Sequence, residues 1–117
     1  MKISEIKELL HAELLAGEEH LGNDVESACC SDMMSDVLAY VKDQGVLITG
    51  LINPQVIRTA NMMDMVCVVF VRSKTPTDEM IELAKECGIV IMRSKLRAYE
   101  ASGILWSAGL SSEVSDG

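Results

Sequence analysis

The stretch MVCVVFV, residues 65–71, is the most apolar segment of the chain and decides its fold class. It is shorter than an ordinary helix, and it lacks the alternation of polar and apolar residues that marks a half-exposed strand. A short continuous run of this kind is typical of a strand that is buried on both faces, as in a parallel sheet. We therefore predict a central strand over residues 66–71.

Similar short apolar segments, each followed by a helical pattern, lie on both sides of this strand along the chain. The predicted strands are 25–30, 46–49, 66–71 and 89–92. The helices that follow them are expected to begin at capping residues, namely Ser31 or Asp32, Asn53, Thr77 and Ser94. Strands that alternate with helices at this spacing form right-handed βαβ units. The sequence therefore predicts an α/β fold of three layers, α/β/α, with a mostly parallel sheet of four to five strands.

The N-terminal residues, which precede the first predicted parallel strand, have patterns of their own. An amphipathic helix is predicted over 4–11, with Ser4 as its N-cap, and a short strand over 13–17 that ends at Gly17. The charged residues of the first segment distinguish it from a signal peptide. The sequence also contains no apolar run of about 18 residues, the length of a membrane span. Both observations favour a cytoplasmic protein.

Helix ends and domain limits follow from glycine and polar residues. The helix after the first parallel strand is expected to run to Lys42, with Gly45 in the left-handed conformation just beyond it. The last helix is expected over 95–108. A single α/β domain then spans 1–110, and residues 111–117 form a flexible C-terminal tail.

The composition narrows the classes of partner. The chain has 117 residues, of which 49% are hydrophobic, and its net charge is −8. That length suffices for one domain with a hydrophobic core. The acidic charge repels polyanions, so we expect neither nucleic acid nor a membrane surface as a partner. A small anionic ligand is still compatible with it, because backbone N–H groups bind anions whatever the net charge.

The sequence contains no motif for catalysis, a cofactor or a metal. Cys29 and Cys30 are adjacent, so in a strand their side chains point to opposite faces and cannot easily share a metal ion. The two histidines, His11 and His20, lie outside any spacing typical of metal ligands. The chain lacks both glycine-rich phosphate-binding motifs, G-x-x-x-x-G-K-[ST] and G-x-G-x-x-G. We expect free, reduced thiols, no bound metal and no cofactor.

The candidate ligand site is the set of polar residues that follow the predicted strands. In an open parallel sheet, ligands bind beyond the carboxyl ends of the strands. The residues predicted to bind a ligand there are Ser31, Asp32, Thr49, Gly50, Asn53, Arg72, Lys74 and Ser94. The loops 72–74 and 93–95 are basic and favour phosphate, whereas Asp32 favours a ligand that donates hydrogen bonds or brings a cation. The alternative is that these are ordinary caps and turn residues.

The last predicted helix carries two apolar stripes. One stripe contains Leu96, Tyr99, Gly103, Trp106 and Leu110, and the other contains Ala98, Ala101, Leu105 and Ala108. One stripe can pack on the sheet and the other on a second subunit. Gly103 would permit a close approach of the two subunits. Core packing alone is the alternative. We expect a homodimer with a two-fold contact, the commonest form of oligomer.

With these elements placed, the chain resembles a DRTGG domain. The stretches that carry the resemblance are SDMMSDVLA (31–39), LITGLINPQVIRTA (47–60), VVFVR (68–72), MIELAK (80–85) and YEASGIL (99–105). The similarity covers about residues 1–110. The string that gives the family its name is absent, and its nearest counterpart is Thr49–Gly50.

The resemblance implies an α/β fold, a homodimer and a regulatory role, with nucleotide-related ligand sensing. Members of the family are attached to CBS-domain inorganic pyrophosphatases, lie within some phosphate acetyltransferases, or stand alone. The family is also similar to the N-terminal domain of the kinase/phosphorylase of the histidine-containing phosphocarrier. The resemblance implies no catalytic residue.

Three functions follow from these observations. The first is a non-catalytic regulatory domain that senses a nucleotide or another small anionic metabolite as a homodimer. The second is an accessory subunit that docks on a larger enzyme, for example a redox enzyme, with Trp106 and Tyr99 as anchors. The third is a small enzyme that uses Ser31, Asp32, Arg72 and Tyr99. We expect no enzyme, because the sequence shows no nucleophile with an adjacent base.

Overall fold

The computed structural model of the protein describes residues 1–40 and 44–111. Within these residues the strands are β1 (Glu13–Ala16), β2 (Ser27–Cys30), β3 (Gly45–Thr49), β4 (Cys67–Phe70) and β5 (Val90–Arg93). The helices are α1 (Ile3–Leu9), α2 (Met34–Tyr40), α3 (Pro54–Met62), α4 (Asp78–Cys87) and α5 (Ala98–Ser107). A short 3-10 turn, Glu18–His20, follows β1.

The stretch 65–71 forms the middle of the sheet. The strand order is β1-β5-β4-β3-β2, so β4 has two strands on each side. Strands β2 to β5 pair in parallel, and β1 joins the edge antiparallel to β5. All four residues of β4 are buried, with Val69 facing one side of the sheet and Val68 and Phe70 facing the other. The predicted α/β/α fold with a mostly parallel sheet is confirmed.

The helices divide between the two faces of the sheet in a way that follows from the strand order. Each strand from β2 to β4 lies beside the strand that follows it in the chain, and the order always advances in the same direction across the sheet. Right-handed crossovers therefore place α2, α3 and α4 on one face, where Val37, Ile57 and Met80 are buried. Helices α1 and α5 cover the other face, with Ile6 and Leu105 in its core. In the described ranges, no helix has the length and apolar character needed to cross a membrane.

Two of the predicted helix caps are confirmed. Asn53 Oδ1 accepts a hydrogen bond from the Gln55 N–H at 2.8 Å, just before Pro54 opens α3. Thr77 Oγ1 accepts one from the Met80 N–H at 3.2 Å at the start of α4. Each side chain satisfies an amide group that the first turn of a helix leaves without a partner.

The predicted cap of the first helix is wrong. Helix α1 begins at Ile3, so Ser4 lies inside it. The N–H groups of Ile3 and Ser4 donate to the carbonyls of Asn23 and Leu21, at 3.0 and 2.9 Å. A loop from later in the chain thus satisfies the amides that a side-chain cap would serve, and local sequence carries no signal of it.

The predicted start of the last helix is also wrong. Helix α5 begins at Ala98, with Arg97 at the N-cap position, and not after Ser94. Ser94 is buried, and its hydroxyl donates to the Leu10 carbonyl at 2.8 Å and accepts from the Leu96 N–H at 3.2 Å. The Ser94 hydroxyl therefore does not cap a helix, and it links the end of β5 to the residue that follows α1.

Other predicted boundaries need smaller corrections. Gly45 is the first residue of β3, and Gln44 is the residue with positive φ, +59°. Lys42, the predicted end of the second helix, and residues 112–117 of the predicted tail lie outside the described residues. Ser111 is described, and its carbonyl accepts a hydrogen bond of 2.8 Å from the Ala28 N–H on β2.

Candidate functional site

Three parallel strands bring four of the predicted ligand residues to one edge of the sheet. Thr49 ends β3 and precedes Gly50, while Asp32 and Arg72 each follow their strand by two residues. Asp32 Oδ1 accepts hydrogen bonds from Thr49 Oγ1 and from the Gly50 N–H, both at 2.8 Å. A Cβ built on Gly50 would lie 2.6 Å from Arg72 Nη2, so the guanidinium lies against this glycine. We call Asp32, Thr49, Gly50 and Arg72 the strand-end cluster.

Asp32 is held in its ionised form by its neighbours. The hydrogen bond from the Gly50 N–H lowers the pKa of Asp32, and the Thr49 hydroxyl and the charge of Arg72 act in the same direction. Partial burial raises the pKa of Asp32, but by less than these contacts lower it. Asp32 and Arg72 are both exposed, so the cluster presents a carboxylate beside a guanidinium to solvent. Within the described chain Asp32 uses only Oδ1, and Oδ2 can accept a hydrogen bond from a ligand.

The remaining predicted residues support local structure. Ser31 Oγ accepts from the Met33 N–H at 3.0 Å and forms a turn before α2. Neither Ser31 nor Asp32 directly precedes α2, which begins at Met34, so neither is its N-cap as predicted. Asn53 caps α3, and the hydroxyl of Ser94 is used in the interior. The predicted site thus separates into the strand-end cluster, the exposed Lys74 and these structural residues.

The basic loops after β4 and β5 lie side by side. The Arg72 N–H donates to the Leu96 carbonyl at 2.8 Å, and the Ser73 N–H donates to the Ser94 carbonyl at 2.9 Å. Of the ten Lys and Arg residues in the chain, half are in or next to these loops: Arg72, Lys74, Arg93, Lys95 and Arg97. An acidic protein therefore places a positive patch at this edge of the sheet.

His11 and Glu13 lie at the same edge, although neither is among the residues that the sequence predicts as a ligand site. The antiparallel pairing of β1 places Glu13 opposite Arg93, and the two side chains form an ion pair. The same guanidinium donates to Thr75 Oγ1 at 2.7 Å. Opposite charges on facing residues are a known signal of strand pairing. The charges of Glu13 and Arg93 indicate this pairing only once β5 is known to be the partner of β1.

Burial keeps two of the four cysteine thiols protonated. All four are free. Burial raises the pKa of Cys29, as do the charges of Cys30 and Asp36, and burial also raises the pKa of Cys67. A raised pKa keeps a thiol protonated and poorly nucleophilic. Among the residues that the structure describes, no group of three or more His, Cys, Asp or Glu side chains could hold a metal ion.

A second surface lies on α5. Leu105 is buried against the sheet, whereas Tyr99 and Trp106 are 89% and 66% exposed. With Leu9 of α1 they line a groove of about 1120 Å³. A Cβ built on Gly103 would meet no atom within 4 Å. The central residues of the two predicted stripes thus face in opposite directions, and we call the exposed side the α5 face.

Replacing Thr49 with valine is expected to raise the pKa of Asp32 towards the ordinary value of about 3.9. The substitution keeps the side-chain shape and removes one of the two donors to Oδ1. A carboxylate whose pKa is depressed stabilises the fold above its unfolded pKa, and this contribution is lost as the pH falls through the folded pKa. An NMR titration of the Asp32 carboxyl carbon measures the titration midpoint in the wild type and in Thr49→Val. A wild-type midpoint at or above the ordinary value would contradict the geometry of the cluster.

Comparison with known proteins gives one sequence family and a similar fold. The sequence model of the DRTGG domain matches residues 5–108. No curated protein sequence matches the chain. The fold is similar to the crystal structure of the CBS and DRTGG domains of the regulatory region of Clostridium perfringens pyrophosphatase, which is complexed with its activator diadenosine tetraphosphate. The TM-score is 0.72 at 19% sequence identity, and the similarity covers 89% of this chain but only 45% of that one.

Proposed function

The chain belongs to the DRTGG domain family, and on that premise we propose that it is a non-catalytic regulatory domain that binds a nucleotide or another small anionic metabolite. The observation that carries the proposal is the strand-end cluster, in which a carboxylate and a guanidinium lie at the carboxyl ends of three parallel strands. Ligands of open α/β sheets bind at this edge. The nucleotide activator in the regulatory region of similar fold is consistent with such a role.

The cluster combines two chemical functions that a nucleotide requires. Asp32 Oδ2 can accept a hydrogen bond from a ribose hydroxyl, the contact that an acidic residue makes in dinucleotide-binding folds. Arg72 can bind a phosphate through two N–H groups, and the exposed Lys74 adds a second positive charge. The absence of a side chain on Gly50 leaves room for the guanidinium beside the backbone. A ligand with both a hydroxyl and a phosphate satisfies the cluster better than a simple anion.

Calorimetric titration with AMP, ATP and diadenosine tetraphosphate tests the proposal. At least one of them should bind, and Arg72→Gln should weaken it by about tenfold or more, because a charge-assisted hydrogen bond is lost. Arg58→Gln is the matched control, since Arg58 is exposed on α3 and its replacement removes the same charge elsewhere. Gly50→Ala should act like Arg72→Gln, because the added Cβ would displace the guanidinium.

Two results would contradict the proposed binding role. One is that none of these nucleotides, nor a panel of anionic metabolites at millimolar concentration, raises the melting temperature, because a ligand of the native state must stabilise it. The other is an equal loss of affinity in Arg58→Gln and Arg72→Gln. The second result would assign the binding to overall charge and not to the strand-end cluster.

The regulatory domain is proposed to act as a homodimer through the α5 face. Tyr99 and Trp106 are seven residues apart on one side of α5, with Gly103 near the midpoint. A two-fold axis near Gly103 would place Tyr99 of one copy against Trp106 of the other, a self-complementary contact. Glu100 is the only charged residue of α5, so few charges would be buried. Exposed aromatic side chains of this kind are the usual anchors of interfaces.

Sedimentation equilibrium tests the dimer. Trp106→Ala should raise the dimer dissociation constant by about thirtyfold or more, the effect of losing a hot-spot residue of about 2 kcal/mol. Met62→Ala is the control, because Met62 is equally exposed, at 67%, but lies on α3 on the opposite side of the sheet. A wild-type protein that stays monomeric at every concentration would contradict the dimer.

An accessory subunit that docks on a larger enzyme, such as a redox enzyme, is the second candidate function. The exposed Trp106 and Tyr99 favour it as well, because both would anchor a different protein equally well. A monomeric wild-type chain that copurifies with one enzyme from its own cell, and loses it on Trp106→Ala, would support docking. Copurification that survives the substitution would exclude the α5 face as the contact.

A further inference from the structure

We propose that a second site, the pocket lined by His11, Glu13, Ser73, Arg93 and Lys95, binds a phosphate group. We call it the basic pocket. It contains none of the residues of the strand-end cluster and reaches beyond the proposed nucleotide site. It joins side chains that are far apart in sequence, and its volume is about 260 Å³. A water molecule needs about 10–15 Å³ of such cavity volume, so the pocket has room for a phosphate group and some water.

The basic pocket exists because β1 runs antiparallel to the other strands. The amino end of β1 therefore meets the carboxyl end of β5, and Glu13 pairs with Arg93. The turn before β1 adds His11, and the loop after β4 adds Ser73. The Ser73 N–H donates to the Ser94 carbonyl at 2.9 Å, which holds that loop beside the segment that contains Lys95.

The side chains of the pocket offer mostly hydrogen-bond donors. Arg93 is fixed by Glu13 and by Thr75 Oγ1, and these two contacts leave further guanidinium N–H groups available. In the described part of the chain, the Lys95 ammonium and the Ser73 hydroxyl form no hydrogen bond or ion pair. Glu13 contributes the single carboxylate, and it faces Arg93. With His11 neutral, the pocket has a net charge of +1 in a protein of −8.

Phosphate matches this arrangement better than a carboxylate does. A phosphate group has oxygens in several directions and accepts hydrogen bonds from donors that converge from different elements, whereas a carboxylate is planar with two oxygens. The donors here come from a turn, a strand end and two loops. The bound group can be a free phosphate ion or the phosphate of a larger ligand.

A chemical-shift titration with inorganic phosphate at constant ionic strength tests the basic pocket. The amide signals of His11, Ser73 and Lys95 should move and saturate. Lys95→Gln should weaken phosphate binding by about tenfold or more, because a charge-assisted contact is lost. Lys85→Gln should leave it unchanged, since Lys85 pairs with Glu82 in the last turn of α4, before β5 begins, whereas the basic pocket lies where β5 ends.

The controls separate this inference from the nucleotide proposal. Saturable shifts of the His11 and Lys95 signals that are lost in Lys95→Gln and kept in Lys85→Gln support the basic pocket whether or not a nucleotide binds. A parallel AMP titration distinguishes the sources: an AMP affinity that also falls in Lys95→Gln indicates the phosphate of a larger ligand, and an unchanged one indicates the free ion. The absence of saturable shifts, or equal losses in Lys85→Gln and Lys95→Gln, would overturn the proposal.

Discussion

Replacing Phe70 with alanine is expected to lower the free energy of unfolding by about 3–5 kcal/mol, the usual cost of truncating a large buried aromatic side chain. Phe70 ends the central strand β4 and has the largest fully buried side chain among the residues that the structure describes. It packs in the cluster that joins the sheet to α2, α3 and α4. The cavity can relax little, because strands lie on both sides of β4.

Urea unfolding monitored by circular dichroism measures this loss. A domain of this size is stable by only about 5–15 kcal/mol, so Phe70→Ala should remove a large fraction of the free energy of unfolding. Met62→Ala is the matched control, since Met62 is apolar but 67% exposed, and it should change the stability by no more than about 0.5 kcal/mol. A loss of less than about 1 kcal/mol for Phe70→Ala would contradict its central place in the core.

Replacing Gly17 with alanine is expected to be nearly as damaging, although it adds only one methyl group. Gly17 follows β1 with φ of +92°, a backbone conformation that costs other residues about 1–2 kcal/mol. The new Cβ would also lie 2.9 Å from both Cα and Cγ2 of Val90 on β5. Overpacking of this kind costs about 1–3 kcal/mol. The two effects together predict a loss of roughly 2–5 kcal/mol.

Gly22→Ala provides the control for Gly17→Ala. A Cβ on Gly22 would meet no atom within 4 Å, and its φ lies outside the positive range. The same chemical change should therefore leave the stability within about 0.5 kcal/mol of the wild type, or raise it slightly. Equal losses in the two variants, measured by urea unfolding, would show that the close approach of Gly17 to β5 is not what limits this position.

Four of the eight residues that the sequence predicts as a ligand site form the strand-end cluster. Polar residues that follow parallel strands must share an edge of the sheet, and this rule alone places Asp32, Thr49, Gly50 and Arg72 together. The sequence does not show which groups pair with one another. The lowered pKa of Asp32 depends on an N–H group eighteen residues later in the chain, and the position of Arg72 depends on the absence of a Cβ at Gly50.

The sequence by itself determined the elements whose signals are local. The run 65–71 specifies a central strand through its composition, and Asn53 and Thr77 start helices because their side chains reach amides two or three residues away. The tertiary structure decided everything that rests on contacts distant along the chain. The antiparallel edge of β1 creates the basic pocket, and the Ser94 hydroxyl binds the Leu10 carbonyl instead of capping a helix. Such groups take whichever partner the folded chain brings within reach, and a linear pattern does not record that partner.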